Sequence, residues 1–299
     1  MMTNPQLLFF IGKGGVGKST ASALFSVHLA HTSRETLLVS MDPAHNQRDI
    51  FEQDFSEQPK RIDNHLMIKE VDTDFWIEKY LKEAQKQITK TYRYESAFSL
   101  QNYFNVLQFS PGLEEYALLL AFENIIYNFQ EKDFIVFDMA PTALSLRFFS
   151  LPFITLTWLE ELLKLRTQIF KKKEIISKIK TGKIEKEQDN VKRKLGSLIQ
   201  DYEHLGKYFL SNKSRINLVL NQDRLSLSEA FRIREKLAGV GIGIHQVVVN
   251  KWNRCEDTSE IDRGFENQKI LRIPLVSGGL IGYSILKENR ALIGKIFTD

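Results

Sequence analysis

GKGGVGKS, at residues 12–19, decides the fold of this chain. It matches the P-loop pattern G-x-x-x-x-G-K-[ST] and lies between an apolar run, Leu7–Ile11, and a helical stretch, Thr20–Ala30. In such loops the glycines let successive backbone N–H groups point at phosphate oxygens at the start of a helix. The pattern therefore predicts a nucleotide site formed by Gly12, Lys13, Gly14, Gly15, Val16, Gly17, Lys18, Ser19 and Thr20.

The loop contains two lysines, and the P-loop pattern requires only one of them. Lys18 occupies the position that reaches the β- and γ-phosphates, and Ser19 the position whose hydroxyl ligates Mg²⁺. A P-loop does not require a second positive charge, so the pattern itself gives Lys13 no role.

Composition limits the class of protein. With 299 residues, 26% of them charged and 43% hydrophobic, the chain has the composition of a soluble globular protein with one large α/β domain or two smaller ones. The net charge of +4 is too small to argue for nucleic acid. Cys255 is the only cysteine, which excludes an intrachain disulfide and any site built from several thiols. No apolar stretch reaches the roughly 18 residues that span a bilayer, so we expect a cytoplasmic, at most peripheral, protein.

Short apolar runs recur along the chain, and most are β-branched or aromatic, which is typical of strands covered on both faces. Helical stretches separate them, so the sequence predicts an α/β fold with a doubly wound, mostly parallel sheet. The predicted strands are Leu7–Ile11, Leu37–Ser40, Leu66–Val71, Phe134–Phe137, Ile216–Leu220, Val247–Val249 and Ile270–Ile273.

Two intervals interrupt this alternation. Residues 73–109 and 151–212 show helical spacing without clear strands, and we interpret both as helical insertions in a single domain spanning 1–299. The second becomes strongly basic at 164–194. A solvated helical pair explains that charge; a surface for acidic lipid or another polyanion is the alternative.

Two aspartates follow predicted strands. Asp42, in the stretch DPAHN, lies at the carboxyl edge of the sheet, where a carboxylate can orient or deprotonate the water that attacks a γ-phosphate. By itself it would equally suit a turn-capping residue. Asp138 ends the run Phe134–Phe137 and is suited to hold Mg²⁺ through water, opposite Ser19.

GKGGVGKST, DPAHN and VFDMAPTALSLRFFSLP, in this order, resemble the ArsA-type ATPases, a deviant Walker A family. This family includes the arsenite-pump ATPase and the targeting factor for tail-anchored membrane proteins. The resemblance implies a Mg²⁺-dependent ATPase that works as a homodimer. In it, Lys13 reaches the phosphates of the opposite subunit, Asp42 is catalytic, and Asp138 begins a switch II loop that ends at Thr142.

The same resemblance implies contacts with the base and ribose. Asn250 matches an asparagine that contacts adenine, Asp223 an acidic residue that contacts nucleotide, and Pro274 an adenine-side loop. For Asp223, a helix N-cap is an equally good explanation.

The chain also departs from the family. It lacks the CxxC pair that holds zinc at the dimer interface of the targeting factor, so we expect no zinc and no arsenite activation. The resemblance implies a hydrophobic protein segment as cargo, but none of the five methionines lies in either insertion. Apolar residues there would line a groove or simply form core between helices.

A MinD/ParA-like positioning ATPase, acting at a membrane surface or on nucleic acid, is the alternative function. The run 285–297 is amphipathic and basic like a membrane-contacting tail, although a terminal helix docked on the core explains it as well.

Overall fold

The computed structural model describes residues 5–91, 110, 112–181 and 190–294. The strands form one sheet in the order β3-β4-β2-β5-β1-β6-β7-β8, and all pairs except β3–β4 are parallel. Their bounds are β1 (Gln6–Ile11), β2 (Thr36–Ser40), β3 (Lys60–Asp63), β4 (Leu66–Glu70), β5 (Phe134–Asp138), β6 (Ser214–Leu220), β7 (Gln246–Trp252) and β8 (Lys269–Pro274).

Helices connect the strands, as a parallel sheet requires. Their bounds are α1 (Lys18–His31), α2 (Asn46–Phe51), α3 (Thr73–Thr91), α4 (Leu113–Asn128), α5 (Thr142–Thr181), α6 (Asn190–Leu210), α7 (Arg224–Ala238), α8 (Ser259–Gly264) and α9 (Tyr283–Glu288). A 3₁₀ helix at Arg290–Ile293 follows α9.

The α/β class and the mostly parallel sheet are confirmed, and all seven predicted strands are present. One strand was not predicted: β3, a short antiparallel strand at the sheet edge, has three charged residues among its four and no fully buried side chain. Its one apolar residue, Ile62, packs partly buried against the core, so this edge strand has no apolar run of the kind that a central strand has. The hydrophobic pattern therefore carries no signal for it.

The centre of the sheet is buried on both faces. β1, β2 and β5 lie side by side, and their apolar residues are almost fully inaccessible. Phe9 stacks on Phe137 of β5, with ring centroids 4.9 Å apart. On the other face Phe10 packs edge-on against Phe25 of α1 at 4.8 Å. This packing fixes the three strands whose ends carry the P-loop and the two aspartates.

Both predicted insertions are helical where they are described. In the first, at 73–109, α3 packs against α4, and residues 92–109 lie outside the described part. In the second, at 151–212, α5 and α6 carry the helical residues, and 182–189, within the basic segment 164–194, lie outside it. Phe149–Ser211 forms a compact unit of its own, and the rest of the chain forms the other.

The C-terminal run folds onto the sheet-containing unit. Leu286 of α9 and Ile293 of the 3₁₀ helix are buried, and both elements pack against α1. His28 of α1 also forms a hydrogen bond through Nδ1 with the Arg290 carbonyl, at 3.2 Å. Docking on the core accounts for Leu286 and Ile293, whereas Ile285 stays 40% exposed; residues 295–299 are not described.

One apolar segment corrects an expectation. Thr142–Lys172 of α5, 31 residues long, is long and apolar enough to cross a membrane by length and composition, although we expected no such stretch. Serine and threonine interrupt its apolar residues, which is why a search for an unbroken run misses it. In the 18-residue window that meets this criterion, 33% of the residues are buried. Core helices of soluble proteins also meet the criterion, so length and composition alone do not identify a membrane-spanning helix.

Candidate active site

The topology places the P-loop and both aspartates side by side. β5 lies between β1 and β2, so Gly12 after β1, Asp42 after β2 and Asp138 at the end of β5 meet at the carboxyl edge of the sheet. Ligands bind at this edge in open α/β sheets. A cavity of about 590 Å³ opens there. It is lined by Gly14, Gly15, Gly17, Lys18, Ser19, Thr20, Asp42, Ala44, Asn46, Asp49, Ile50, Pro141, Asn250, Lys251, Pro274, Leu275, Val276, Gly279, Leu280 and Ile281.

Glycine is required at two positions of the loop. At Gly12 a Cβ atom would lie 2.2 Å from the carbonyl oxygen of Val219 in β6. Gly17 has φ +91°, and a Cβ there would lie 2.1 Å from Nδ2 of Asn250. The loop is therefore held against the strand ends by contacts that only glycine permits.

Lys18 is a buried cation between two carboxylates. Its side chain is only slightly exposed at the base of the cavity. Burial lowers the pKa of Lys18, and the charges of Asp138 and Asp42 act in the opposite direction. A cation with so little water around it binds phosphate strongly, because a ligand need displace little solvent.

Asp138 lies behind the P-loop, fully buried, and does not line the cavity. Burial raises the pKa of Asp138 to about 6, while the neighbouring Ser19 hydroxyl, the hydrogen bond from Gln47 and the charge of Lys18 partly offset that rise. Its Oδ1 atom has no hydrogen-bond partner among the described residues. A buried, unpaired carboxylate oxygen beside the P-loop serine is a fitting acceptor for a hydrated Mg²⁺.

Ser19 and Asp138 are therefore the residues that would hold Mg²⁺. When bound, the ion neutralises charge that develops on the phosphate oxygens. The structure supplies the hydroxyl at the start of α1 and the carboxylate at the end of β5. Their fit rests on the donor set and on the unpaired oxygen, which the sequence could not reveal.

Asp42 lies two residues after the end of β2, in the stretch DPAHN. It lines the cavity, is buried, and its Oδ1 accepts a hydrogen bond from the backbone N–H of Ala44 at 3.0 Å. That bond orients the carboxylate within a tight turn. Asp42 thus caps this turn and lines the cavity at the same time.

Two residues of α2 contribute to the site although no sequence motif indicated them. Asp49 is a second carboxylate that lines the cavity. Gln47 is completely buried and donates to Oδ2 of Asp138 at 2.9 Å. Gln47 directly follows DPAHN, but its burial could not be predicted, because a six-residue helix has no hydrophobic pattern that shows which face is buried.

The predicted base-side residues divide into two groups. Asn250 and Pro274 line the cavity, and the side-chain amide of Asn250 donates to the Val16 carbonyl at 2.9 Å. Asp223 caps α7, because its Oδ1 accepts from the backbone N–H of Ser226 at 2.8 Å, and it is not among the described residues that line the cavity. Their contacts with nucleotide remain predictions.

Lys13 differs from Lys18 in its surroundings. Its side chain is partly exposed, and it is not among the described residues that line its own chain's cavity. The structure thus places one P-loop lysine in the site and leaves the other outside it.

A P-loop after β1, a carboxylate after β2 and a second carboxylate ending β5 define a P-loop nucleotide hydrolase. Comparison with known families identifies the group of hydrolases to which the chain belongs. The chain belongs to the anion-transporting ATPase (ArsA ATPase) family, whose model matches residues 5–295. It is therefore an ATPase, and the resemblance seen in the motifs is confirmed.

Individual relatives match over most of the chain. The chain is 29% identical to a putative arsenical pump-driving ATPase 2 of Aquifex aeolicus, over 95% of this chain and 97% of that protein. It is 29% identical to the ATPase get3 of Aspergillus terreus, over 86% and 76% respectively. An ATPase ASNA1 homolog of Entamoeba histolytica is 27% identical, over 91% and 84%.

Proposed function

We propose that this protein is a Mg²⁺-dependent, homodimeric ATPase that couples ATP hydrolysis to the binding and release of a hydrophobic protein segment. The observation that carries the proposal is the arrangement of Lys18, Ser19 and Asp42 around one cavity, with Asp138 buried behind Ser19. These groups supply what phosphoryl transfer to water needs: phosphate binding, a metal site and a carboxylate for the water.

Each residue has a separate task in this proposal. Lys18 binds the β- and γ-phosphates, and Ser19 with Asp138 holds Mg²⁺. Asp42 orients the attacking water and accepts its proton. Asn250 and Pro274 contact the base, since both line the same cavity as the P-loop.

Lys13 acts on the opposite subunit. Its partial exposure and its position outside its own cavity support a role across a dimer interface rather than in its own site. There it stabilises the charge of the transition state, as an arginine finger does. Hydrolysis then depends on the approach of two subunits.

Complementation of two inactive variants tests this arrangement. Lys13→Ala and Asp42→Asn should each bind ATP but hydrolyse it at least about 100-fold more slowly, because each removes transition-state stabilisation. In a mixed dimer, the Lys13→Ala subunit keeps its own Asp42 and receives Lys13 from its partner. An equal mixture should therefore recover roughly a quarter of the wild-type turnover, since half the dimers are mixed and each has one complete site.

Asp49→Asn is the matched control for the carboxylate, because Asp49 also lines the cavity. It should keep turnover within about threefold of the wild type if Asp42 alone handles the water. A mixture that stays inactive, although mixed dimers form, would show that Lys13 acts in its own site.

The support for an apolar cargo is a stripe on α5. Five large apolar side chains, each 45–67% exposed, recur at helical spacing: Ile154, Trp158, Leu162, Leu165 and Ile169. The stripe extends over about 22 Å, which matches a partner helix of some 15 residues. α5 begins at Thr142, where the switch II loop ends, so one helix joins that loop to the stripe in the sequence.

A defined probe tests the cargo: a purified protein that ends in a 20-residue apolar helix. The variant Trp158→Asp/Leu162→Asp should capture it at least about 10-fold less well, because two large apolar contacts are lost. Glu160→Ala, on another face of α5, should capture it normally. Equal capture by all three proteins would rule out the stripe as the binding surface.

The proposal includes a cytoplasmic location and a single P-loop domain with two helical insertions. A free, exposed Cys255 suits a reducing compartment. Peripheral contact with a membrane, through 285–297 or the basic segment 164–194, is not needed to explain the described residues.

A further inference from the structure

Gln47 joins three elements beneath the P-loop. Its Nε2 group lies 2.9 Å from Asp138 Oδ2, 3.1 Å from Ser22 Oγ and 3.2 Å from the Ser19 carbonyl oxygen. One fully buried amide thus links α2 to β5 and α1. Because three acceptors contact the same amide nitrogen, they fix the orientation of the Gln47 side chain.

Two acceptors of this cluster stay unpaired. Oε1 of Gln47 and Oδ1 of Asp138 are buried and have no hydrogen-bond partner in the described part of the chain. Buried polar atoms are rarely left unpaired, because each costs about 1–3 kcal/mol. Gln47 and Asp138 are hydrogen-bonded to each other, and each has one unpaired acceptor, which indicates that hydrogen-bond donors bind beside them. The water ligands of Mg²⁺ are such donors.

We propose that Gln47 is a positioning residue for Mg²⁺. By donating to Oδ2 of Asp138, it fixes that carboxylate with Oδ1 free for the hydration shell of the ion, and its own Oε1 accepts from the same shell. Groups that orient metal-binding residues in this way commonly change metal affinity 10- to 100-fold when they are removed. Since Gln47 belongs to α2, the same contact ties the position of α2 to the metal. The inference rests on the Mg²⁺ site of the proposed function.

The test is a Mg²⁺ titration of the full chain saturated with a fluorescent ADP, read by fluorescence rather than by turnover. Gln47→Leu keeps similar size and removes both amide groups. It should raise the half-saturating Mg²⁺ concentration about 10- to 100-fold, while ADP affinity in EDTA stays within about twofold of wild type. Gln47→Asn, which retracts the amide from Asp138, should shift the titration in the same direction and decides the matter if Gln47→Leu does not fold.

Ser22→Ala is the matched control, because it removes one partner of Gln47 and leaves the contact with Asp138 intact. Its titration should stay within about threefold of wild type, as a neutral hydrogen bond is weak. Wild-type half-saturation in the folded Gln47 variants would overturn the role of Gln47 alone. If Mg²⁺ does not change the fluorescence of ADP bound to the wild-type protein, the metal site of the proposed function is overturned as well.

Discussion

Gly17→Ala should destabilise the protein through one identifiable clash. Gly17 precedes α1 with φ +91°, and the new Cβ would lie 2.1 Å from Nδ2 of Asn250. No real contact is that short, so the Asn250 amide must move away. It then loses its 2.9 Å hydrogen bond to the carbonyl of Val16, which is buried.

The magnitude follows from two terms. A residue other than glycine in the left-handed region costs about 1–2 kcal/mol. The buried Val16 carbonyl, left without its donor, costs about 1–3 kcal/mol more. Together they lower the free energy of unfolding by about 2–5 kcal/mol, and the P-loop also loses its nucleotide-binding geometry.

Urea unfolding without nucleotide measures the effect, and Gly14→Ala is the matched control. A Cβ at Gly14 meets no atom within 4 Å, so that variant should change the free energy of unfolding by less than about 0.5 kcal/mol. Asn250→Ala removes the clashing group, so the double variant should lose at least about 1 kcal/mol less than the sum of the single variants. Strict additivity, or a Gly17→Ala variant as stable as Gly14→Ala, would refute the reasoning.

Two further predictions concern stability. Hydrogen bonds from Lys132 and His65 hold the pKa of Glu35 below its usual value of 4.5, so its stabilisation is full above that pH and is lost as the pH falls through the folded-state pKa. Because the Glu35 side chain is 37% exposed and solvent screens its ion pairs, Glu35→Gln should cost less than about 1 kcal/mol at pH 7. Urea unfolding should show the difference from wild type shrinking below pH 4.5; a constant difference would contradict this. Asp223→Ala should cost about 1 kcal/mol through the lost cap on Ser226, whereas Asp223→Asn should keep the cap within about 0.5 kcal/mol. Equal losses in the two Asp223 variants would show that the charge, not the cap, matters.

Six of the predicted strands were readable from the sequence because they are largely buried. The seventh, β8, lies at the other edge of the sheet and was readable from its apolar run, although only one of its residues is fully buried. Phe134–Phe137 and Val247–Val249 are continuous apolar runs, and a parallel sheet needs such runs at its centre. The edge strand β3 was not readable, since three of the four residues of Lys60–Asp63 are charged and form no apolar run. Strand order also lay beyond the sequence, because it depends on which helices cover which face.

The motifs predicted part of the cavity lining. Lys18, Ser19 and Asp42 line the cavity as their motifs indicate, because these motifs are local and their backbone geometry is encoded by adjacent residues. Gln47 and Asp49 were missed, since their roles depend on how α2 packs beside β5 and the cavity. No spacing rule relates Gln47 to Asp138 across so much intervening chain.

The sequence alone determined that this protein binds nucleotide through a P-loop, that its sheet is mostly parallel, and that an extra lysine, Lys13, lies in the loop. These features are local: glycines, apolar runs and strand-ending acids act within a few residues of one another. Only the tertiary structure decided that Lys18 lies in the cavity while Lys13 lies outside it, and that Asp138 is buried beneath Gln47. Burial and unpaired atoms arise from packing between distant segments, and no local pattern encodes them.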